Sequence, residues 1–393
     1  MIQNIQIKNF KLLKGCNLPL SHLTLLTGVN GMGKSTLIQA LLLFRQTYQK
    51  IGHLNEGLLL RGDLIDLGTT ADILCDTAIN DEINFSFDME ENNHSLKYTL
   101  IQQQEKAGNK RGEFFYLNPE QEKSFLINLS PQELANYPLF NAHFQYISAA
   151  RIIPQTSYTS SERDVEKKWI GKQGEFLIHY LHTNKNKYIQ NACLALVEDE
   201  KNKALPLIDQ VSAWLSFISP NVFVKTQYLP ETDSYSLGYE FSTNGSIGKT
   251  KTFKAINAAF GLTYVLPVIT ALLIAEKGDL VIIENPESDL HPQGQAKLGE
   301  MMAIAAEGGV QLIIETHSDH ILNGIRVAIK KFHKGETSKG ISTEKVKTYY
   351  FKRNEQEHIA DIIPIIIDEN GDLNKQPDGF MDEWGNLLYE LLD

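Results

Sequence analysis

Cysteine, tryptophan and long apolar runs are scarce in this sequence of 393 residues, which has 3 cysteines and 3 tryptophans. Cys16, Cys75 and Cys193 lie far apart and form no CxxC pair, so neither a zinc site nor a disulfide framework is predicted, and we expect buried thiols. No apolar run approaches the roughly 20 residues of a membrane-spanning helix, and the first ten residues lack the apolar core of a signal peptide. We therefore expect a cytoplasmic protein without a membrane segment.

Basic residues are fewer than acidic ones, 37 against 48, which gives a formal net charge of -11. This balance argues against a protein that coats nucleic acid over its whole surface. One stretch differs, since residues 324–353 hold nine basic residues against Glu336 and Glu344. The stretch is interpreted either as a solvated face or as a patch for nucleic acid or an acidic partner.

The order of apolar patterns predicts an α/β fold with a mostly parallel central sheet. "LTLLT" is strand-like, a glycine-rich turn follows, and "STLIQALLLF" has helical spacing. Short strand-like segments within 57–117 predict an antiparallel β arm, and residues 164–217 have helical patterns. "DLVIIEN" and "VQLIIETHS", joined by a helical segment, predict a βαβ unit with buried parallel strands. The expected segments are 1–155, an ATPase lobe with the β arm; 156–218, a helical insertion; 219–340, a second ATPase segment; and 341–393, a C-terminal module.

"GVNGMGKST", from Gly28 to Thr36, matches the phosphate-binding pattern GxxxxGK[ST] in full and lies between a predicted strand and helix. In such a P-loop, main-chain amides and the helix start hold the phosphates, the lysine reaches the terminal ones, and the serine hydroxyl binds magnesium. The sequence therefore predicts binding of ATP and Mg²⁺. The predicted contact residues are Asn30, Gly31, Gly33, Lys34, Ser35 and Thr36.

A P-loop enzyme also needs an acid at the end of a second buried strand, and Glu284 is the candidate magnesium ligand. The next residue is Asn285, where a carboxylate would serve as the base that activates water. Two nearby acids, Glu287 and Glu315, are alternatives for that base, although each also fits a structural role. His317 follows the next strand, where a sensor of the γ-phosphate is expected, with a capping or core role as the alternative.

Several segments resemble, in their order, a bacterial family of ABC-type ATPases related to the RecF, SMC and OLD proteins and often found in phage-defence loci. They are "GVNGMGKST", "YISAARIIP", "GKQGEFLIHYL", "FGLTYVLP", "VIIENPESDLHPQGQ" and "IIETHSDHILNGIR". "PIIIDENGDLNKQPDGFMDEW" resembles the family's C-terminal domain of unassigned function. The resemblance implies an ABC-type P-loop NTPase fold with a head-to-tail homodimer around ATP, or a higher even oligomer. It also implies that Gly261 and Thr263 contact the nucleotide of the other subunit, although the family more often has Ser-Gln where this chain has Thr263-Tyr264.

The resemblance implies an ATP-dependent switch in an anti-phage defence complex with a separate effector such as a nuclease, and the amide of Asn285 at the base position predicts slow hydrolysis. The alternative is a RecF-like or SMC-like protein that clamps DNA directly, for which the basic stretch 324–353 is the supporting feature. An intrinsic nuclease is not expected, because the 76 residues after His317 contain one acidic turn, "DENGD". Arg151 is interpreted either as a residue near the nucleotide or as a structural arginine.

Overall fold

The computed structural model describes residues 1–89, 94–101, 114–117, 129–196, 206–243, 248–354, 356–375, 377, 380, 387, 390 and 391. The chain forms two compact units, described separately below: residues 1–141 with 347–366, and residues 142–346 with 367–393. Elements are numbered along the chain. Within the described residues, no helix has both the length and the apolarity to cross a membrane.

The first unit contains the predicted antiparallel β arm. Its strands are β1 (Ile2–Phe10), β2 (Leu13–Pro19), β4 (Gly57–Leu59), β5 (Glu82–Met89), β6 (His94–Ile101) and β7 (Phe114–Leu117), in the order β2-β1-β5-β6-β7-β4. Alternate residues of β5 are buried, as a sheet with one apolar face requires. Phe85 and Phe87 of β5 pack edge-to-face on Phe44, with ring centroids 5.3 and 4.9 Å apart. The predicted β arm is confirmed, although β2 was not foreseen.

The first unit also contains β3 (Leu23–Gly28), which leads through the glycine-rich loop into α1 (Lys34–Ile51). Beside β3 lies β15 (Val346–Asn354), which pairs antiparallel with β16 (Ile359–Ile365). Two short helices, α2 (Thr70–Ile73) and α3 (Pro131–Leu134), also belong to this unit. The buried residues of β3 and α1 anchor both ends of the loop, so the loop is fixed by packing on each side.

The second unit contains a parallel sheet formed by β8 (Gln145–Ile147), β13 (Leu280–Glu284) and β14 (Gln311–Thr316). α8 (Pro292–Glu307) connects β13 to β14, and α9 (Asp319–His333) follows β14. Glu284 is in register with Glu315, and Ile282 with Tyr146. Because side chains alternate along a strand, Tyr146, Glu284 and Glu315 share one face of this sheet. The predicted βαβ unit and the α/β fold class are confirmed.

The rest of the second unit contains a small antiparallel sheet and further helices. The strands are β9 (Tyr158–Thr159), β10 (Val222–Leu229), β11 (Ser234–Phe241) and β12 (Phe253–Lys254). The helices are α4 (Glu162–Glu166), α5 (Leu177–Asn184), α6 (Leu207–Leu215) and α7 (Phe260–Ile274), of which α7 is almost wholly buried and contains Pro267. After β8 the chain continues as a loop, in which the main-chain nitrogens of Ser148 and Ile152 donate hydrogen bonds to the main-chain oxygens of Lys172 and Gln173.

The cysteines differ from the expectation of buried thiols. Cys75 is buried, Cys16 is half-buried and Cys193 is exposed. Cys193 lies in a short helical turn, Ala192–Leu194, in which Leu194 supplies the buried side chain. Its burial was therefore predicted wrongly, because a single turn needs only one apolar residue to anchor it.

Candidate nucleotide-binding site

The loop between β3 and α1 has the backbone that a phosphate-binding loop requires. Gly28, Gly31 and Gly33 have φ angles of 138°, 75° and 97°, which favour glycine over any residue with a Cβ atom. A Cβ atom at Gly28 would also lie 2.3 Å from the main-chain oxygen of Phe351. The glycines are therefore needed both for the curvature of the loop and for its close contact with β15.

Lys34 is the first residue of α1, and its side chain is 2% exposed. Its ammonium group donates hydrogen bonds to the main-chain oxygens of Gly28, at 2.9 Å, and Val29, at 2.8 Å. The cation therefore lies inside the curve of the loop, at the amino end of a helix of 18 residues. Free amides, a positive helix end and an enclosed ammonium group fit the phosphates of a nucleotide.

The other predicted contact residues lie on the same loop and the first turn of α1. Asn30 and Gly31 are exposed, Ser35 is half-buried, and Thr36 is buried. The half-buried hydroxyl of Ser35, next to Lys34, fits the predicted magnesium ligand.

Glu284, at the end of β13, is half-buried, and its carboxylate is held by β8 and by the loop after it. The carboxylate accepts a hydrogen bond from the main-chain nitrogen of Ala149, at 3.2 Å, and another from the Tyr146 hydroxyl. Burial raises the pKa of Glu284, and the Ala149 and Tyr146 bonds and the Arg151 charge oppose that rise. A partly desolvated carboxylate at a strand end has the chemistry of a magnesium ligand.

Asn285 occupies a left-handed turn with a φ of 45°, a conformation that asparagine adopts more readily than most other residues. Its main-chain nitrogen donates to the Glu315 oxygen at 2.8 Å. The Arg151 guanidinium donates to the main-chain oxygens of both Glu284 and Asn285. Asn285 therefore suits the left-handed turn, a backbone role that the sequence alone did not indicate. Its side chain also leaves this position without a carboxylate.

Glu287 and His317 meet where β13 and β14 end. The two carboxylate oxygens of Glu287 accept hydrogen bonds from the Thr316 hydroxyl, at 2.7 Å, and the main-chain nitrogen of His317, at 2.9 Å. His317 itself is exposed just beyond β14. Because both oxygens of Glu287 are engaged in holding the end of β14, the geometry favours its structural alternative over the hypothesis of a substitute base.

Gly261 and Thr263, the two residues expected to contact a nucleotide on another subunit, differ in how far they are buried. Gly261, in the first turn of α7, is half-buried, and a Cβ atom there would lie 2.4 Å from the Asp289 oxygen. Thr263 is 0% exposed, and its hydroxyl forms a 3.0 Å hydrogen bond with the Tyr239 hydroxyl. The Thr263 hydroxyl is therefore satisfied within the core of its own subunit, and its contact with a nucleotide on another subunit stays a prediction.

Sequence reasoning missed Tyr146 and left the role of Arg151 open. Burial raises the pKa of the Tyr146 phenol, and the neighbouring Glu284 carboxylate adds to that effect, so the hydroxyl remains a donor. Burial lowers the pKa of Arg151 to about 10, which still leaves it charged at neutral pH. The available signal was the apolar strand "FQYI", which contains Tyr146 and precedes Arg151, because parallel strands present their carboxyl ends at one edge.

No curated protein matches this chain. Among solved structures, the chain is similar to an SMC head bound to the C-winged helix domain of ScpA, at 12% identity and a TM-score of 0.48, with 93% of this chain and 98% of that chain covered. It is also similar to the SMC head domain from Thermotoga maritima, at 11% identity and a TM-score of 0.45, with 92% and 98% covered.

Two family models match the sequence. The model described as "Protein of unknown function (DUF3696)" matches residues 341–391, which agrees with the resemblance of the C-terminal segment to a domain of unassigned function. The model described as "AAA domain, putative AbiEii toxin, Type IV TA system" matches residues 23–323 and includes the P-loop, Glu284 and His317. Because this match spans more than half of the chain, the protein belongs to that family of AAA ATPases.

Proposed function

We propose that this protein is an ATP-binding and slowly ATP-hydrolysing switch that controls a separate effector, such as a nuclease, in an anti-phage defence complex in the cytoplasm. The observation that carries the proposal is the enclosure of the Lys34 ammonium group by a left-handed glycine loop at the start of α1. Main-chain amides of the loop, with Lys34 and Thr36, would hold the phosphates. Ser35 and Glu284 would hold Mg²⁺, which neutralises charge on the phosphates.

Slow hydrolysis is part of the proposal because the usual base position carries an amide. Asn285 can orient a water molecule, but it cannot take a proton from it as a carboxylate does. Glu287 does not replace the missing carboxylate in the described arrangement, since both of its oxygens hold the end of β14. An ATPase with this arrangement would remain bound to ATP until a trigger or partner completes the site.

Dimerisation around ATP completes the proposed switch. The resemblance places α7 opposite the nucleotide of the other subunit, and the start of α7 carries exposed Phe260, which is 42% exposed. The matched family description names a toxin of a type IV toxin–antitoxin system. That description supports a role in a toxin–antitoxin system.

A direct clamp on DNA is not favoured over the switch. The basic stretch 324–353 is partly neutralised within the second unit, where Lys331 binds Glu300 at 2.6 Å and Lys345 binds Glu307 at 2.8 Å. Lysines in such pairs contribute less to the attraction of phosphates than free cations do. Salt-dependent DNA binding by the purified protein would support the clamp instead.

The proposed function is tested with Lys34→Ala and, as a matched control, Lys50→Ala, which removes an exposed lysine from the other end of α1. Lys34→Ala should abolish ATP binding and phage protection in cells that carry the gene with its neighbours, whereas Lys50→Ala should change neither. ATP affinity that is unchanged in Lys34→Ala would contradict the P-loop assignment.

The dimer is tested by the mass of the wild-type protein with and without ATP and Mg²⁺, because the slow turnover expected from Asn285 should preserve the closed form. Substitution of Gly261 is unsuitable for this purpose, since any side chain would collide with the main chain at Asp289. A protein that remains a monomer with saturating ATP and Mg²⁺ would contradict a nucleotide-held dimer.

A further inference from the structure

Arg151 lies in the loop after β8 and is 5% exposed. One terminal nitrogen of its guanidinium donates to two consecutive main-chain oxygens, those of Glu284 and Asn285. Two adjacent carbonyl groups converge on one nitrogen because the chain turns sharply at Asn285, where φ is 45°. Left-handed backbone is less favourable for asparagine than for glycine, and charge-assisted hydrogen bonds can offset that cost. Arg151 therefore stabilises the turn that follows Glu284.

The guanidinium is not fully paired within the described part of the chain. Its Nε and second terminal nitrogen are buried and have no hydrogen-bond partner there. The carboxylates of Glu284, Glu287 and Asp289 are close enough to interact with its charge. Buried donors are nearly always satisfied, so an arginine retained for packing alone would not be expected to leave two of its nitrogens unpaired. Acidic neighbours and unpaired donors are more consistent with a group that organises a charged site.

Strand β8 and the same loop also hold Glu284 at its carboxylate. The Ala149 nitrogen and the Tyr146 hydroxyl bind the carboxylate of Glu284, whereas Arg151 binds its main-chain oxygen. Residues of one short segment thus fix both ends of the candidate magnesium ligand. A carboxylate held at both its backbone and its side chain has few alternative rotamers.

Arg151 also connects this turn to α7. Its guanidinium lies over the ring of Tyr264, 5.0 Å from the centroid, and the Tyr264 hydroxyl donates to the Ala149 oxygen at 2.6 Å. Gly261, one turn earlier, is in close contact with the main chain at Asp289. A displacement of the first turns of α7 would therefore move the loop that holds Glu284.

We propose that Arg151 is a positioning residue of the ATPase site. By holding the Glu284-Asn285 turn, it orients the Glu284 carboxylate toward the metal, and it couples this orientation to the start of α7. The inference rests on the proposed function, since it assumes that Glu284 binds Mg²⁺ beside ATP. Arg151 itself acts through the turn and not on the nucleotide. Removal of the Arg151 side chain should therefore reduce the gain in ATP affinity that Mg²⁺ provides more than it reduces the affinity for ATP without metal.

The test compares Arg151→Met, Arg151→Lys and Tyr264→Phe with Arg163→Met, a control at an exposed arginine of α4. ATP affinity is measured with Mg²⁺ and with a chelator, together with steady-state hydrolysis and thermal unfolding. In Arg151→Met, the affinity gained on addition of Mg²⁺ should fall by about 10-fold or more, as for other residues that orient metal ligands, whereas metal-free ATP affinity should remain. Arg151→Lys should recover part of the loss, and Tyr264→Phe should show a smaller loss of the same kind.

Arg151→Met protein that is folded and retains the full effect of Mg²⁺ on ATP affinity would overturn the inference. Equal loss of metal-free and metal-dependent affinity, in parallel with loss of folded protein, would also overturn it, because that pattern indicates a purely structural arginine. Failure of the proposed function is recognised separately, since wild type and Lys34→Ala would then have the same ATP affinity.

Discussion

The carboxylate of Glu287 accepts a hydrogen bond from the main-chain nitrogen of His317 at 2.9 Å. The residue after the Asn285-Pro286 turn is thereby joined to the residue that follows β14. Since Thr316 donates to the other oxygen of Glu287, the ends of β13 and β14 are held as one structure. His317, the candidate phosphate sensor, thus depends for its position on an acid that follows the neighbouring strand β13.

Glu287→Gln should retain ATP hydrolysis within about tenfold of wild type, because the amide oxygen can still accept from the His317 nitrogen and the Thr316 hydroxyl can reorient. Glu287→Ala should lose more activity and some stability, because it leaves both donors unsatisfied. Steady-state hydrolysis and thermal unfolding of the two variants measure this difference. A loss of about 100-fold or more in a well-folded Glu287→Gln protein would instead identify Glu287 as the base.

Thr263→Val should destabilise the protein by about 1–3 kcal/mol, because it leaves the buried Tyr239 hydroxyl without its partner. Tyr239→Phe removes the same bond from the other side, so the double variant should be less destabilised than the sum of the two single variants. Urea unfolding measures the three free energies. Thr263→Val with wild-type stability but no ATP hydrolysis would instead support the prediction that its hydroxyl contacts a nucleotide.

Local patterns made much of the site predictable. The P-loop is a continuous motif, and its glycines and Lys34 are where the pattern requires them. The βαβ unit followed from two apolar runs with a helix between them. Tyr146 and Arg151 could not be assigned in this way, because their contacts with Glu284 join positions more than 130 residues apart. The core position of Thr263 depends on pairing with Tyr239 in another element, which no spacing along the chain reveals.

Glu300 should stabilise the α8–α9 contact at neutral pH and lose that effect in acid. Burial acts to raise the pKa of Glu300, but hydrogen bonds and charges from Lys297 and Lys331 outweigh it and hold the pKa below its ordinary value of 4.5. A carboxyl whose pKa is lowered by folding contributes stability above its unfolded pKa and loses it as pH falls through the folded value. Glu300→Gln should therefore lower the free energy of unfolding by about 0.5–1 kcal/mol at pH 7, and the difference should disappear well below pH 4.5.

Unfolding of wild type and Glu300→Gln in urea at several pH values measures this effect. Glu336→Gln is a suitable control, because Glu336 pairs with Lys339 at 3.6 Å on an exposed turn, where an ion pair contributes little. A Glu300→Gln difference that is the same at pH 7 and in acid would show that the Lys297 and Lys331 pairs do not depend on the carboxylate charge.

Asn285→Glu should accelerate hydrolysis, because it places a carboxylate where ABC-type sites carry their base. The left-handed backbone at position 285 complicates a comparison with wild type alone, since any longer side chain with a φ of 45° is strained. Asn285→Gln is the matched control, as it has the same length and the same strain as the glutamate variant but no charge. The ratio of the two rates therefore isolates the effect of the carboxylate on hydrolysis, and base assistance typically contributes about 100-fold to 10,000-fold.

We expect slow hydrolysis by wild type, a Glu-to-Gln rate ratio of at least about 10 at position 285, and loss of hydrolysis when Glu284→Gln is added. Equal rates for the two variants, or rapid hydrolysis by wild type, would show that Asn285 is not a brake and that the attacking water is activated elsewhere.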